Sequence, residues 1–447
     1  MGRRPLMQRL NIWMNGIPVA AWDKSRDEER LSYFPDWQQQ DEGRPLSLSL
    51  PFTPDNRAYR GALVSSFFDN LLPDNDAIRR RLAQRYHAEN TDPFSLLAEL
   101  GRDCVGAIQL LPSDVEPTDL FSVSGSPLDE AEVAHLLRNT TSAAPLGQAE
   151  EHDDLRLSIA GAQEKTALLY HDGAWLLPQG STPTTHIFKL PLGLVGNRRA
   201  DMQSSVENEW LCSKLMAAYG LPIAHCDIGN FEDQKVLIVE RFDRKPASDG
   251  SWIIRLPQED MCQATGTPSL RKYQADGGPG IADVIHVLDR SDRAQQDKRN
   301  FLKTQIVFWL LAATDGHAKN FSIAHLPGGR YCATPLYDVL SAHPITGPGP
   351  NQIAAQRLKL AMAVRGTSNY YLIDRIQRRH WSAQAAQVGL GAALAEEVIE
   401  EVIAETDGVL DAVGRQLPKD FPAKLADAIF SGLVRQCKRL AAMPAGV

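Results

Sequence analysis

The run Thr314-Asp315-Gly316-His317-Ala318-Lys319-Asn320 follows directly on the apolar stretch FLKTQIVFWLLAA. A buried helix is therefore expected to end in a polar loop containing one glycine. Asp315 and Asn320 stand five positions apart. At that separation a phosphoryl-transfer loop sets an acidic base against an attacking hydroxyl and an amide oxygen against a magnesium ion. A plain helix ending is the other reading, with Asp315 and Gly316 closing the helix and Asn320 finishing a turn. Eighteen residues beyond Asn320, after the strand-like segment RYCATPL, Pro335-Leu336-Tyr337-Asp338 brings a second carboxylate. Base, amide and acid in this order match the way kinases supply the base and two magnesium ligands, although here the aromatic residue precedes the acid. Asp338 could instead cap a helix beginning at VLSA.

Upstream, Ser158-Ile159-Ala160-Gly161-Ala162-Gln163-Glu164-Lys165-Thr166 lies between two strand-like segments. It is neither G-x-x-x-x-G-K-[ST] nor G-x-G-x-x-G, but its small residues let backbone N–H groups approach phosphate oxygens. A tight hairpin accounts for Ala-Gly-Ala equally well. Lys189 sits in the apolar strand THIFKLP, where an unpaired ammonium is costly, and so invites reading as a phosphate-neutralising cation. Glu209, twenty residues later on a helix, is either its partner or a solvated surface acid. VLIVERFDR ends a buried strand in Glu240-Arg241-Phe242, where backbone groups could meet an adenine edge.

These residues need elements to hold them. Residues 1–150 mix short strands (LNIWMNG, PLSLSLP, GAIQLLP) with a helical stretch from Leu63 to Tyr86, and the polar segment 112–155 closes that unit. Residues 151–310 are rich in strands, interrupted by a helix from Val206 to Tyr219. From Phe301 the pattern turns helical, with Leu394, Val398, Val402 and Ile403 on one face, so residues 311–447 are expected to form an all-α lobe. An α/β region followed by helices suggests two lobes with a cleft between them.

Composition narrows the function classes. Of 447 residues, 43% are hydrophobic and 23% charged, as in a folded globular chain. The net charge of −8 argues against a protein whose main business is coating nucleic acid. The longest apolar run, Ile306 to Ala313, is far short of the ~20 residues of a bilayer span, so no membrane association is expected. The basic start lacks an apolar signal core. Six cysteines lie scattered without a C-x-x-C pair, as free thiols of a reducing cytoplasm. Among eleven histidines only His317 falls in a chemical motif.

The chain resembles the HipA family, the serine/threonine kinase toxins of bacterial HipB–HipA toxin–antitoxin modules. The resemblance runs from about residue 10 to about residue 435 and includes RPLSLSLP, FFDNLLPD, RYHA, SIAGAQEKTALL, TPTTHI, VERFDR, RLPQEDMCQ, DGGPGIA, TDGHAKNFS and YDVLSA. It implies a bilobal protein-kinase-like fold with the nucleotide in the inter-lobe cleft, and ATP and Mg2+ as cofactors. By position it implies Asp315 as the catalytic base and Asn320 and Asp338 as metal ligands. It likewise implies Ala160, Gly161, Ala162, Gln163, Glu164 and Lys165 as the loop over the ATP phosphates. Lys189 becomes the phosphate-contacting lysine, Glu240, Arg241 and Phe242 the hinge, and His317, Lys319 and Tyr337 residues lining the nucleotide. Ser158 matches the serine these kinases autophosphorylate.

The resemblance further implies an aminoacyl-tRNA synthetase as target, glutamyl-tRNA synthetase in the best-matched branch. It implies a HipB-like antitoxin dimer as partner and operator DNA reached through HipB. In one respect the sequence departs from the family pattern. The stretch aligned with the basic DNA-touching helix, Ala386-Gln387-Val388-Gly389, carries no positive charge, and Arg375, Arg378, Arg379 and His380 stand slightly earlier as substitutes. A nucleotide-binding scaffold without useful turnover is the alternative of another class. A metal-dependent hydrolase using Asp315, His317 and Asp338 would leave Lys189 and the 158–165 loop without a role.

Overall fold

The computed structural model describes residues 7–26, 28–141, 157–158, 161, 163–196 and 199–446, with the backbone alone at 141, 157 and 158. In the first unit β1 (Met7–Met14), β2 (Ile17–Ser25), β3 (Glu29–Tyr33) and β4 (Tyr59–Arg60) lead into α1 (Ala62–Asp69), α2 (Asp76–Arg85) and α3 (Pro93–Leu100). β5 (Asp103–Cys104) and β6 (Ile108–Pro112) follow. The antiparallel sheet has the order β4-β3-β2-β1-β6. Alternation sends Leu10, Ile12 and Met14 of β1 into one core, where Trp22 of β2 stacks on Phe68 of α1 with ring centroids 3.8 Å apart.

Two expectations for this unit are corrected. Leu63 to Tyr86 is two helices, because Pro73 cannot donate within a helix and Asn75 caps α2 by accepting from Ala77 N at 2.8 Å. PLSLSLP is an irregular turn, not a strand. Leu48 N donates to Glu259 at 2.8 Å and the Ser49 hydroxyl donates to the Gln263 carbonyl at 2.7 Å. Its polar groups thus serve a junction with QEDMCQ in place of a strand ladder.

The second unit contains β7 (Gly125–Leu128), α4 (Glu130–Thr141), β8 (Leu157–Ser158), β9 (Lys165–His171), β10 (Ala174–Pro178) and β11 (His186–Lys189). It continues through α5 (Ser205–Ala218), β12 (Cys226–Phe231) and β13 (Gln234–Glu240). Its main sheet, β12-β13-β11-β9-β10-β7, is antiparallel. Val133 and Leu137 of α4 share a core with Leu168 and Phe188. The division drawn at residue 150 therefore falls earlier, between β6 and β7. β8 leaves that sheet and pairs in parallel with β5, Ser158 opposite Cys104.

The third unit runs β14 (Gln258–Asp260), α6 (Met261–Ala264), α7 (Ile281–Leu288), α8 (Ala294–Leu311), β15 (Ser322–His325) and β16 (Tyr331–Ala333). It ends with β17 (Lys359–Arg365), β18 (Asn369–Leu372), α9 (Arg378–Gln387), α10 (Ala392–Gly414) and α11 (Ala423–Ala441). An all-α lobe over 311–447 is thus incorrect. β15 is the middle strand of β14-β15-β16, and β17 pairs with β18. β15, β16 and β18 are too short to give much periodic signal, and β17 is buried from Leu360 to Val364, so it does not alternate. α8 is buried from Phe301 to Leu311 by the helices around it, which explains the apolar run that begins at Ile306.

Buried charge joins the units. Asp103 of β5 accepts from Arg241 at 3.2 Å and Arg244 at 2.9 Å, and Arg255 lies 3.4 Å away. Burial works against the Asp103 carboxylate, but the three guanidiniums bring it down to about 2. Among the described residues no helix is long and apolar enough to cross a membrane. All six cysteines are unpaired thiols, five of them buried.

Candidate active site

α8 delivers the first acid. Its last carbonyls are closed at Ala312, in the left-handed region at φ +49°, three residues before Asp315, so Asp315 is not the helix cap. The Asp315 carbonyl accepts from His317 N at 2.8 Å and from Asn320 Nδ2 at 2.9 Å. That bond turns the Asn320 amide so that its oxygen is the group left for a cation. The Asp315 side chain is exposed, and its Oδ1 accepts the Tyr273 hydroxyl. Burial, followed by the Asp315 charge, pushes the Tyr273 phenol up, so Tyr273 keeps its proton and donates. The His317 ring meets Tyr273 edge-on with centroids 5.0 Å apart, and burial holds its imidazole below the usual range.

The second acid belongs to a buried cluster. Lys189, at the end of β11, donates to Glu209 of α5 at 2.6 Å and to Asp338 at 3.0 Å. Glu209 is buried, so the solvated reading of that residue fails. Burial opposes the Lys189 ammonium, but Asp338 and Glu209 together raise it. Asp338 is held well below the carboxylate range by Lys189 and Lys165 against the effect of burial. For Glu209 burial dominates and its carboxyl is pushed up. No helix starts at Val339, so Asp338 caps nothing; its φ of +62° is unusual for an aspartate and is held by its surroundings.

The loop over these groups is described at Gly161 and from Gln163 onward; Ala160, Ala162 and the Ser158 side chain lie outside the described residues. Gly161 has φ +117°, and a Cβ there would stand 2.4 Å from Lys165 Nζ. Glycine is thus what lets the Lys165 ammonium lie beneath the loop. Burial, then the charge of Lys189, lowers Lys165 to about 8. Gln163 donates its amide to the Leu190 carbonyl. Glu164 turns away from the cleft to pair with Arg81 of α2.

At the far end Glu240 is exposed at the close of β13. The Arg241 side chain points into the Asp103 cluster, leaving only its backbone for the cleft. The Phe242 ring lies 5.9 Å from that of Tyr337. Tyr337 donates to the Lys319 carbonyl at 2.8 Å and shares a hydrogen bond with Ser322 at 2.6 Å. Asp315, Asn320, Asp338, Lys189, Lys165, Gly161 and Phe242 all border one cavity of about 190 Å³. Larger hollows exist, of about 380 Å³ beside α7 and α8 and about 670 Å³ near Asn208, but neither gathers these acids, amide and lysines.

The donor set fits magnesium and a nucleotide. Asp338 and Asn320 offer hard oxygen atoms, the type magnesium takes beside phosphate oxygens and water. Among the described residues no three His, Cys, Asp or Glu side chains are grouped so as to hold a metal by themselves. His317 borders the cavity, and its Nδ1 is buried without a hydrogen-bond partner.

Three contributors escaped the sequence reading. Asp74 of the first unit binds Lys319 and Lys272. Tyr273 binds Asp315. Asp260 of QEDMCQ caps α6, accepting from Gln263 N at 2.8 Å, and borders the cavity. DGGPGIA turns the chain so that Lys272 and Tyr273 face the loop of Asp315 and Asn320; at Gly278 a Cβ would stand 1.8 Å from the Arg271 carbonyl. The contacts of Asp74 cross between units and that of Tyr273 spans 42 residues, so neither leaves a local pattern, whereas Asp260 and Gln263 form a local capping box.

A family model described as the HipA-like C-terminal domain matches residues 157–410, and one described as the HipA N-terminal domain matches residues 10–111. The chain belongs to the HipA family. Among HipA relatives, Y4mE of Sinorhizobium fredii, a protein provisionally named a kinase, is 34% identical over 91% of each chain. The serine/threonine-protein kinase toxin HipA of Shewanella oneidensis is 28% identical, over 73% of this chain and 72% of its own. The fold is that of HipA in the solved complex of Shewanella oneidensis HipA, HipB and operator DNA. The match has a TM-score of 0.78 at 23% identity and covers 97% of this chain and 98% of that one. Of the cations offered in place of a basic 386–389 stretch, Arg378 is buried against Glu396 and Glu400. His380 is buried and stacked on Tyr370 at 3.9 Å. Arg375 and Arg379 are exposed.

Proposed function

We propose that this chain is an ATP-dependent serine/threonine protein kinase and the toxin half of a toxin–antitoxin pair. The observation that carries the reading is the Lys189 ammonium held between Glu209 and Asp338, in the same cavity as Asp315 and Asn320. A scaffold that merely bound nucleotide would not need an acid at the position of the base. Magnesium-bound ATP supplies the transferable phosphoryl group and offsets part of its charge.

The chain's own residues do the rest. Tyr273 fixes Oδ1 of Asp315, so Oδ2 is the oxygen that receives the acceptor hydroxyl and its proton. Lys189 and Lys165 bring positive charge to the phosphate end, and a lysine titrating at about 8 is still mostly charged at neutral pH. Asn320 and Asp338 direct oxygen atoms toward the cation position. Phe242 and the backbone of Glu240 and Arg241 border the end where a base would lie.

Finer assignments belong to the same proposal. Ser158 is the autophosphorylation site, and a phosphate adding about two negative charges beside this loop would weaken ATP binding. The acceptor protein is an aminoacyl-tRNA synthetase, glutamyl-tRNA synthetase first among them, and its modification halts translation and promotes persistence. A HipB-like antitoxin dimer binds the chain and carries it to operator DNA, where the pair represses its own operon. This agrees with two of the four candidate cations being committed to internal contacts. The setting is the cytoplasm, with nucleoid association in the DNA complex. A phosphoproteomic comparison of cells expressing wild type and Asp315→Asn tests the target. A synthetase serine phosphorylated only with wild type supports it; no difference between the two would refute it.

A further inference from the structure

Asp74 lies in the turn between α1 and α2, more than 80 residues before Gly161 and more than 240 before Asp315. Both of its carboxylate oxygens are taken: Oδ1 accepts from Lys319 at 2.9 Å and Oδ2 from Lys272 at 2.7 Å. Lys319 also donates to the Asn70 carbonyl at 3.0 Å. Through its main chain the same residue reaches the other loop. Asp74 N donates to the Gly161 carbonyl at 3.2 Å, and Pro73 forms a parallel bridge with Gly161.

Simple docking of the first unit does not account for this arrangement, because the Asp103 cluster and the turn at Leu48 and Ser49 already hold that junction. The contacts of Asp74 go to the loop of Asp315 and Asn320 and to the loop at Gly161. Lys319 stands between the base and the amide in sequence, and its carbonyl is held by Tyr337, the neighbour of Asp338. The Lys272 carbonyl accepts from Ala318 N at 3.2 Å, and the next residue, Tyr273, holds Asp315. Burial would push the Asp74 carboxyl up, yet Lys319 and Lys272 bring it down to about 2. An ion pair so enclosed is little screened by water or salt.

We propose that Asp74 is a positioning residue for phosphoryl transfer: its carboxylate holds Lys319, and through it Asp315 and Asn320, in register with the phosphate loop at Gly161. The N-terminal unit is then part of the catalytic machinery. The inference rests on the kinase reading given above.

The test uses the full chain as wild type, Asp74→Asn and Asp74→Glu, with phosphoryl transfer measured against MgATP concentration. Amide hydrogen exchange over residues 313–321 and over α8 is followed in parallel. Asp74→Asn should lower kcat by about 10-fold to 100-fold with the KM for ATP changed by less than about threefold, because the loss is one of alignment. Asp74→Glu should recover part of that loss. Exchange over 313–321 should quicken in Asp74→Asn while α8 stays protected. Wild-type kcat in Asp74→Asn would overturn the proposal, as would equal losses in both variants with α8 deprotected. If wild type transfers no phosphate, the kinase reading falls, and unchanged exchange over 313–321 in Asp74→Asn would then overturn the positioning role as well.

Discussion

Lys189 of β11 and Glu209 of α5 form a buried ion pair at 2.6 Å, and the same ammonium reaches Asp338 at 3.0 Å. One cation thus ties a strand and a helix of the second unit to the acid of the third. Replacing Lys189 by Met leaves two buried carboxylates facing each other. Loss of about 3–5 kcal/mol of unfolding free energy is expected, since removing one partner strands the other. Denaturant unfolding of wild type and Lys189→Met measures it; equal midpoints would show the cluster to be solvated.

Asp260 gives a pH signature of definite sign. Burial pushes its carboxyl up to about 6, above its ordinary value of 3.8. The folded chain therefore holds this proton more tightly than the unfolded one. The contribution to stability is complete below about pH 4 and is lost as pH rises through about 6. Asn caps a helix as well as Asp and does not titrate. Asp260→Asn is expected to be more stable than wild type at pH 7 by about 3 kcal/mol, from the two-unit shift. The difference should vanish near pH 4. Unfolding curves across that range check it, and parallel pH profiles would contradict it.

The junction of the first and second units makes its own prediction. Asp103 is the carboxylate among Arg241, Arg244 and Arg255, with Asp243 pairing two of the same guanidiniums. Asp103→Ala leaves buried guanidiniums short of a partner and is expected to cost about 3–5 kcal/mol. Thermal or denaturant unfolding reads it directly; an unchanged midpoint would mean that Asp243 alone satisfies the arginines.

Much of the cleft was legible in sequence because its parts are local. The five-residue spacing of Asp315 and Asn320, the aspartate after Tyr337 and the lysine in an apolar strand each stand out against their neighbours. Glu209 stayed ambiguous because its pairing depends on how α5 packs on the sheet, which helical spacing does not record. The strand-like RYCATPL holds β16, but β15 and β18 were missed for their brevity and β17 because it is buried on both faces and does not alternate. The break at Pro73 was passed over by a periodicity that resumed beyond it. Asp74 and Tyr273 left no local sign. Asp74 acts on a loop 245 positions away, through hydrogen bonds that exist only once the first and third units have met, and Tyr273 reaches 42 positions along the chain within the third unit.

Transfer of labelled γ-phosphate from MgATP to protein serine, by purified wild type and Asp315→Asn side by side, is the most direct measurement. Wild type should label protein, and Asp315→Asn should fall by about 10²-fold or more while still binding nucleotide, because it keeps Lys189, Asn320 and Asp338 but loses the base. Equal labelling by the two proteins would contradict the assignment of Asp315 and the mechanism built on it.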